Sequence, residues 1–393
     1  MTYCTILAKN YLPKALALAD SLNRHQPGST LVVLVIDART DADLPEVSGV
    51  PGVRMMSLAD YPLPEREVLH LATIYDLVEF ATAVKPLLLD QLLEESEQVA
   101  YLDPDTYLTS PMEELSPALS ASEGGLVLTP HFFRPPGPDA ELSENHLLTV
   151  GFYNLGFCAV DRRARDFLRW WWGHLREECL WEPLSGLFVD QKWVDIGAPL
   201  FHGEALRHYG YNVGVANLDE RPIAEDVDGY YIATTGDRLR LFHFHAFDTS
   251  APEELSTRLD RSTAHLRDGA VDRLCAEYAK DLIVHEESAP PAPPYVFWTD
   301  TRGRRISRQL RRAYRVESRA GASLPSPFVA AEAEAFEAWR RRAWRPMSRE
   351  LVTDAVKSAR LSMPEEYERI KNRLPGVAGK LRGRLSLRSG IWE

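Results

Sequence analysis

The chain has 393 residues, 45% of them hydrophobic and 26% charged, with a formal net charge of -12. That length allows two domains and a large core, and no apolar run approaches the ~20 residues that a membrane-spanning helix needs. Residues 301–393 carry 22 Lys and Arg against 10 Asp and Glu, whereas residues 1–300 carry 23 against 47. Two bodies of opposite charge are therefore expected, and no nucleic-acid partner.

Met1 to Ala8 reads directly as a strand, without the charged n-region and cleavage site of a secretory signal. Cys4, Cys158, Cys179 and Cys275 lie far apart with no C-x-x-C pair. A reduced, cytoplasmic setting with cysteines as small buried hydrophobes is expected. Asn10 is read as a helix cap, and Leu12, Ala15, Leu16, Ala19 and Leu22 follow at helical spacing. The near-continuous apolar run Leu31–Asp37 is that of a strand buried on both faces of a parallel sheet. The opening is thus β-α-β. Its first junction, Ala8-Lys-Asn-Tyr11, holds no glycine, which argues against dinucleotide-binding and P-loop enzymes.

Helical patterns over Glu67–Phe80 and Ala83–Leu93 precede the segment Val99–Leu108. Here a short apolar run delivers Asp103 and Asp105 to a strand end, where ligands bind in open α/β sheets. Residues i and i+2 of an extended chain point the same way, so both carboxylates can reach one hard cation. The same spacing recurs at Asp41/Asp43 and Asp226/Asp228 in polar surroundings. Two solvated aspartates in a turn shaped by Pro104 therefore remain an open reading. Gly125–Thr129 reads as a strand, the proline-rich residues 131–145 as a mobile loop beside the site, and Gly151–Val160 as a further strand.

Phe167, Leu168, Trp171, Trp172 and Leu175 mark the next helix. Its Trp170–Trp172 triplet invites a sugar-stacking role, but consecutive helical residues point ~100° apart, so core packing is expected. Asp190-Gln191 is bracketed by apolar residues; buried polar pairs need partners, which favours a site. Tyr211–Val215 and Arg240–His245 read as late strands. His243 and His245 share a face, either as metal ligands or as hydrogen-bonded histidines of a half-buried strand. Glu286–Tyr295 has the composition of a semi-rigid linker. The expected organisation is a catalytic domain over 1–285, a linker over 286–298 and a basic helical region over 299–393. Three helices are expected there, at Arg304–Arg319, Phe328–Arg342 and Arg349–Arg373, before an alternating basic and apolar tail at Gly379–Arg388.

Taken in order, Thr82-Ala-Val-Lys-Pro86, Tyr101-Leu-Asp-Pro-Asp105, Tyr153-Asn-Leu-Gly156, Phe188-Val-Asp-Gln-Lys-Trp193 and Phe242-His-Phe244 resemble GT-A-fold glycosyltransferases. The likeness is to family 8, the glycogenin and bacterial α-galactosyltransferase group, and its bacterial relatives, over roughly residues 1–250. It implies an α/β fold with a mostly parallel central sheet and a helical C-terminal extension. It implies a nucleotide-sugar donor, a UDP-sugar, held through its diphosphate by Mn²⁺ or Mg²⁺, with retention of anomeric configuration. Asp103, Asp105 and His243 match the metal ligands. Ala8, Asn10, Tyr11, Asp37, Thr82, Lys85, Pro104 and Asn154 match donor-contacting positions along with the two aspartates. Lys85, Asp190 and Gln191 match catalytic positions. The acceptor is implied only as a glycan, a lipid-linked or a small molecule. Two departures are visible. Phe242-His-Phe-His-Ala-Phe247 replaces F-H-F-S-G-F, which removes a glycine that would allow close backbone approach, and the H-x-x-G-x-x-K-P-W ending is absent. Another metal-dependent nucleotide enzyme, a nucleotidyltransferase or phosphohydrolase, is the alternative. So is a non-catalytic protein docking on a polyanion or at the inner face of an anionic membrane through its basic region.

Overall fold

The computed structural model describes residues 1–137, 142–252, 254–257, 269–289 and 291–373. The chain forms two compact units, Met1–Phe297 and Trp298–Glu393. In the first, strands β1 (Thr2–Leu7), β2 (Thr30–Val35), β3 (Val53–Met56) and β4 (Gln98–Leu102) run parallel, in the order β3-β2-β1-β4. Val32 to Val35 have no exposed surface, as a continuous apolar run requires when both faces are covered. Helices α1 (Leu12–His25), α2 (Glu65–Ile74), α3 (Leu77–Ala83) and α4 (Lys85–Leu92) supply the crossovers.

Past β4 the sheet changes direction. β5 (Thr106–Leu108), α5 (Leu115–Ala121), β6 (Leu126–Pro130), α6 (Glu144–Val150) and β7 (Tyr153–Asp161) follow in sequence. β7 lies antiparallel between β4 and β6 and brings the segment Tyr153–Gly156 alongside the end of β4. α7 (Arg165–Glu178), a short hairpin of β8 (Trp181–Glu182) and β9 (Leu187–Phe188), α8 (Gln191–Leu200) and β10 (Glu204–Ala205) complete a seven-stranded sheet of order β10-β6-β7-β4-β1-β2-β3. A three-stranded sheet sets β14 (Leu241–His243) between β5 and β11 (Val213–Gly214). β12 (Ile223–Asp226) and β13 (Gly229–Ile232) form a ribbon that packs on α9 (Gly269–Ser288). This is the α/β class with a mostly parallel central sheet expected from the sequence.

Several boundaries differ from the sequence reading, each for a local reason. Asn10 caps nothing: it lies in a 3-10 turn, Lys9–Tyr11, and α1 has no side-chain cap. The single helix expected over Glu67–Phe80 is broken at Tyr75-Asp76. The Asp76 carboxylate accepts the Glu79 N–H at 3.0 Å and the Glu79 carboxylate accepts the Asp76 N–H at 3.1 Å, a reciprocal cap that starts a new helix. Glu286 to Ser288, placed in the linker by composition, continue α9. Trp171 is fully buried against Phe167, their rings 5.2 Å apart. All four cysteines are buried and free.

The second unit holds α10 (Arg308–Arg319), α11 (Ala333–Arg342), α12 (Trp344–Ser362) and α13 (Pro364–Arg373). The third expected helix is thus two, because Pro364 cannot continue α12 but fits the start of α13. Asp300 anchors the unit, accepting from Arg304 and Arg340 at 3.2 and 3.0 Å, while Trp339 packs edge-on to Tyr314. The tail Gly379–Arg388 lies outside the described residues, as do residues 138–141 of the proline-rich loop.

Candidate functional site

β4 ends at Leu102, and the backbone then turns tightly. The Asp103 N–H donates to the Gly156 carbonyl at 2.9 Å, and the Asp103 carbonyl accepts from the Thr106 N–H and hydroxyl at 3.1 and 2.7 Å. Asp103 and Asp105 therefore leave one turn braced from both sides. β14 pairs antiparallel with β5, His243 opposite Thr106, and the Phe244 N–H donates to the Asp105 carbonyl at 2.8 Å. That register carries His243 to the carboxylates. Its Nε2 lies 3.1 Å from Asp105 Oδ1 and 3.6 Å from Asp103 Oδ2, and one ligand atom from each residue falls within 4.8 Å of the others.

The imidazole is buried, 1% exposed, while the Asp103 side chain keeps 31% of its surface open. Burial alone would raise the Asp105 pKa, but His243, with His245 and Lys14 beyond it, holds it well below the usual carboxylate range. Two carboxylate oxygens and one imidazole nitrogen, hard and borderline donors with an open side, form a set that fits Mn²⁺ or Mg²⁺. His245 stacks on His243 with ring centroids 3.5 Å apart.

Behind Asp103 lies a buried ion pair. Lys85 Nζ donates to Asp190 Oδ2 at 2.6 Å and to the Leu155 carbonyl at 3.0 Å, and both side chains are at most 3% exposed. Burial disfavours the ammonium, but Asp190, with Asp103 further off, outweighs it and holds the Lys85 pKa above its ordinary value. The ammonium also lies 4.0 Å over the Tyr101 ring, and the Tyr101 hydroxyl donates to Asp103 Oδ1 at 2.6 Å. One continuous line of contacts therefore joins Asp190, Lys85, Tyr101 and Asp103.

Gln191 clamps backbone: its Nε2 donates to the Val150 carbonyl at 2.9 Å and its Oε1 accepts the Leu155 N–H at 3.2 Å. Buried Asn154 accepts the Gly156 N–H at 3.0 Å. A third cluster forms at the ends of β1 and β2. Ala8 accepts the Tyr11 N–H at 2.8 Å, and buried Asp37 accepts the Lys9 N–H at 3.0 Å, while Asn10 and Tyr11 are exposed. Thr82 turns its hydroxyl back onto its own helix, to the Val78 carbonyl at 2.8 Å. Pro104 is buried in the turn between the two aspartates.

Three contributors escaped the sequence reading. Tyr101 could have been found, since it shares a strand face with Asp103. Gly156 has a steric role: a Cβ there would come within 2.3 Å of His243 Cε1. Asn212, hydrogen-bonded to His243 Nδ1 at 3.0 Å, follows no pattern visible in the sequence.

No family model matches the sequence. The chain is similar to the uncharacterized protein YfnF of Bacillus subtilis (strain 168), with 28% identity over 306 residues spanning 74% of this chain and 95% of that protein. Among solved structures it is similar to the galactosyltransferase LgtC in complex with donor and acceptor sugar analogs. There the identity is 16%, the TM-score 0.40, and the coverage 75% of this chain and 98% of the other. A glutamine-to-glutamate active-site mutant of LgtC gives 18% identity and a TM-score of 0.39 over the same shares, 75% and 98%.

Proposed function

We propose that this protein is a metal-dependent glycosyltransferase that moves a sugar from a nucleotide-sugar donor, a UDP-sugar, to an acceptor with retention of anomeric configuration. The observation that carries the reading is the convergence of Asp103, Asp105 and His243 at the end of β4, a donor set for one divalent cation beside a buried lysine. The ordered motifs of the first 250 residues or so support the same reading.

In this reading Asp103, Asp105 and His243 hold Mn²⁺ or Mg²⁺, which when bound supplies positive charge to the departing diphosphate. Lys85 adds a second charge from below, through Tyr101, because its ammonium is committed to Asp190 and Leu155. Asp190 keeps that ammonium charged and in place. Gln191 and Asn154 set the backbone of the β7 entrance against which the sugar would lie. Ala8, Asn10, Tyr11, Asp37 and Thr82 are proposed for the nucleoside end. The basic second unit is proposed as a peripheral contact with anionic lipid.

The test is a panel of nucleotide-sugars with Mn²⁺, scored by release of nucleoside diphosphate. Wild type should turn over at least one donor and lose this in EDTA. Asp103→Asn and Asp105→Asn should abolish it with little change in the metal-free melting temperature. Full activity in EDTA, or in either variant, refutes the metal assignment; no turnover of any donor moves the reading to another nucleotide enzyme.

A further inference from the structure

We infer that Asn212 is a positioning residue that fixes which nitrogen of His243 faces the two aspartates; this rests on the metal site proposed above. Asn212 is 1% exposed. Its amide nitrogen donates to the Asn154 carbonyl at 3.0 Å and to the Thr129 hydroxyl oxygen at 2.9 Å. A backbone carbonyl can only accept, so the nitrogen must point that way and the amide cannot be flipped. Asn212 Oδ1 therefore faces His243 Nδ1 at 3.0 Å, and that oxygen can only accept.

Nδ1 must carry the proton. In the neutral ring the lone pair is then on Nε2, the atom 3.1 Å from Asp105 Oδ1 and 3.6 Å from Asp103 Oδ2. A metal-bound imidazole is held the same way, its far N–H given to a fixed acceptor. Gly156 and His245 lie against the ring, so its plane is set by packing and its proton by Asn212.

The backbone explains why the residue is asparagine. Asn212 has φ +51°, a left-handed conformation that Asn and Gly tolerate and most residues do not. Asn212→Gly thus deletes the amide without adding backbone strain.

Two measurements on the full chain decide the matter. The first is long-range ¹⁵N–¹H NMR of metal-free, histidine-labelled wild type. His243 should show a proton on Nδ1, and an Nδ1 without a proton overturns the inference even if no variant folds. The second is Mn²⁺ affinity by titration. Asn212→Gly should weaken binding about 10- to 100-fold and lose the Nδ1–H signature. A merely structural residue would lower the melting temperature but leave tautomer and affinity alone, and that result also overturns it. Wild type that binds no Mn²⁺ refutes the metal reading itself, and the NMR measurement still decides the role of Asn212.

Discussion

Replacing Lys85 with methionine isolates the element on which the site rests. Methionine matches the four-atom apolar stem of lysine and lacks only the terminal nitrogen, so the core around the stem stays filled. Three contacts are lost: the ion pair to Asp190 at 2.6 Å, the hydrogen bond to Leu155 at 3.0 Å and the ammonium over Tyr101 at 4.0 Å. Asp190 remains as a carboxylate with 3% of its side chain exposed. Removing one partner of a buried pair costs about 3–5 kcal/mol. The protein can escape part of this by protonating Asp190, which gives the prediction its pH signature. Burial already raises the Asp190 pKa against Lys85 in the wild type; without Lys85 the rise is larger, so relative to the unfolded ~3.9 Asp190 favours the folded variant fully only below ~4. The relative stability then falls by up to ~1.4 kcal/mol for each pH unit until the folded pKa is passed. Urea unfolding at pH 5 and pH 7.5 should therefore show a small deficit at the lower pH and one of about 3–4 kcal/mol at the higher. The Lys85→Met/Asp190→Leu double variant should regain most of the loss at both. A deficit below about 1 kcal/mol, or one independent of pH, refutes the claim that Asp190 is buried, charged and dependent on Lys85.

Gly156→Ala should displace His243, since the new Cβ would sit 2.3 Å from Cε1 and 2.5 Å from Nδ1; Mn²⁺ titration should show weakened binding, and unchanged affinity would place the ring elsewhere. His131 is buried, and burial pushes its pKa down to about 4. The unfolded chain takes up that proton near ~6.5, so stability is lost as pH falls from there to about 4, by up to ~3 kcal/mol. Asn in its place should flatten urea midpoints over that range. The full chain should bind anionic vesicles at low salt and release them at high salt, at about 1 kcal/mol per well-placed Lys or Arg; flotation with no binding at low salt ends the membrane proposal.

The parts of the fold that local chemistry dictates were legible in the sequence. Leu31–Asp37 announced a strand covered on both faces, and Tyr101-Leu-Asp-Pro-Asp105 announced carboxylates at a strand end. The break at Asp76 was also legible, because Asp76 and Glu79 have the spacing of a reciprocal cap, but the apolar periodicity running through it masked the signal. Pairing across distance leaves no local signal in the residues, and His243 was joined to the two aspartates only through the family resemblance. His243 meets Asp105 only because β14 pairs with β5 in one register, and a slip of one residue would turn the imidazole to the other face. Asn212 meets His243 through a loop whose left-handed backbone leaves no periodic trace. Asp190 was recognisable as a polar residue in apolar surroundings, and Lys85, 105 positions away, only through the family resemblance. Their being partners was not.

That partnership bears on the route by which a retaining transferase would work. One route has a carboxylate attack the anomeric carbon and form a covalent adduct, which needs an ionised group in line with the carbon. Burial raises the pKa of Asp190, and Lys85, whose ammonium sits 2.6 Å away, is the main group that favours the ionised form. To attack, Asp190 must leave that ammonium and uncover two charges in a space where neither side chain is more than 3% exposed. Separation on the scale of about 3 kcal/mol would by itself slow the step roughly 150-fold. The other route lets the acceptor approach on the face the diphosphate vacates and asks nothing of Asp190 beyond a fixed negative charge under the sugar. A buried, lysine-bound aspartate supplies such a charge without moving. For the retaining activity proposed above, the geometry around Lys85 favours the second route, with the pair proposed as a permanent dipole and not as a reactant.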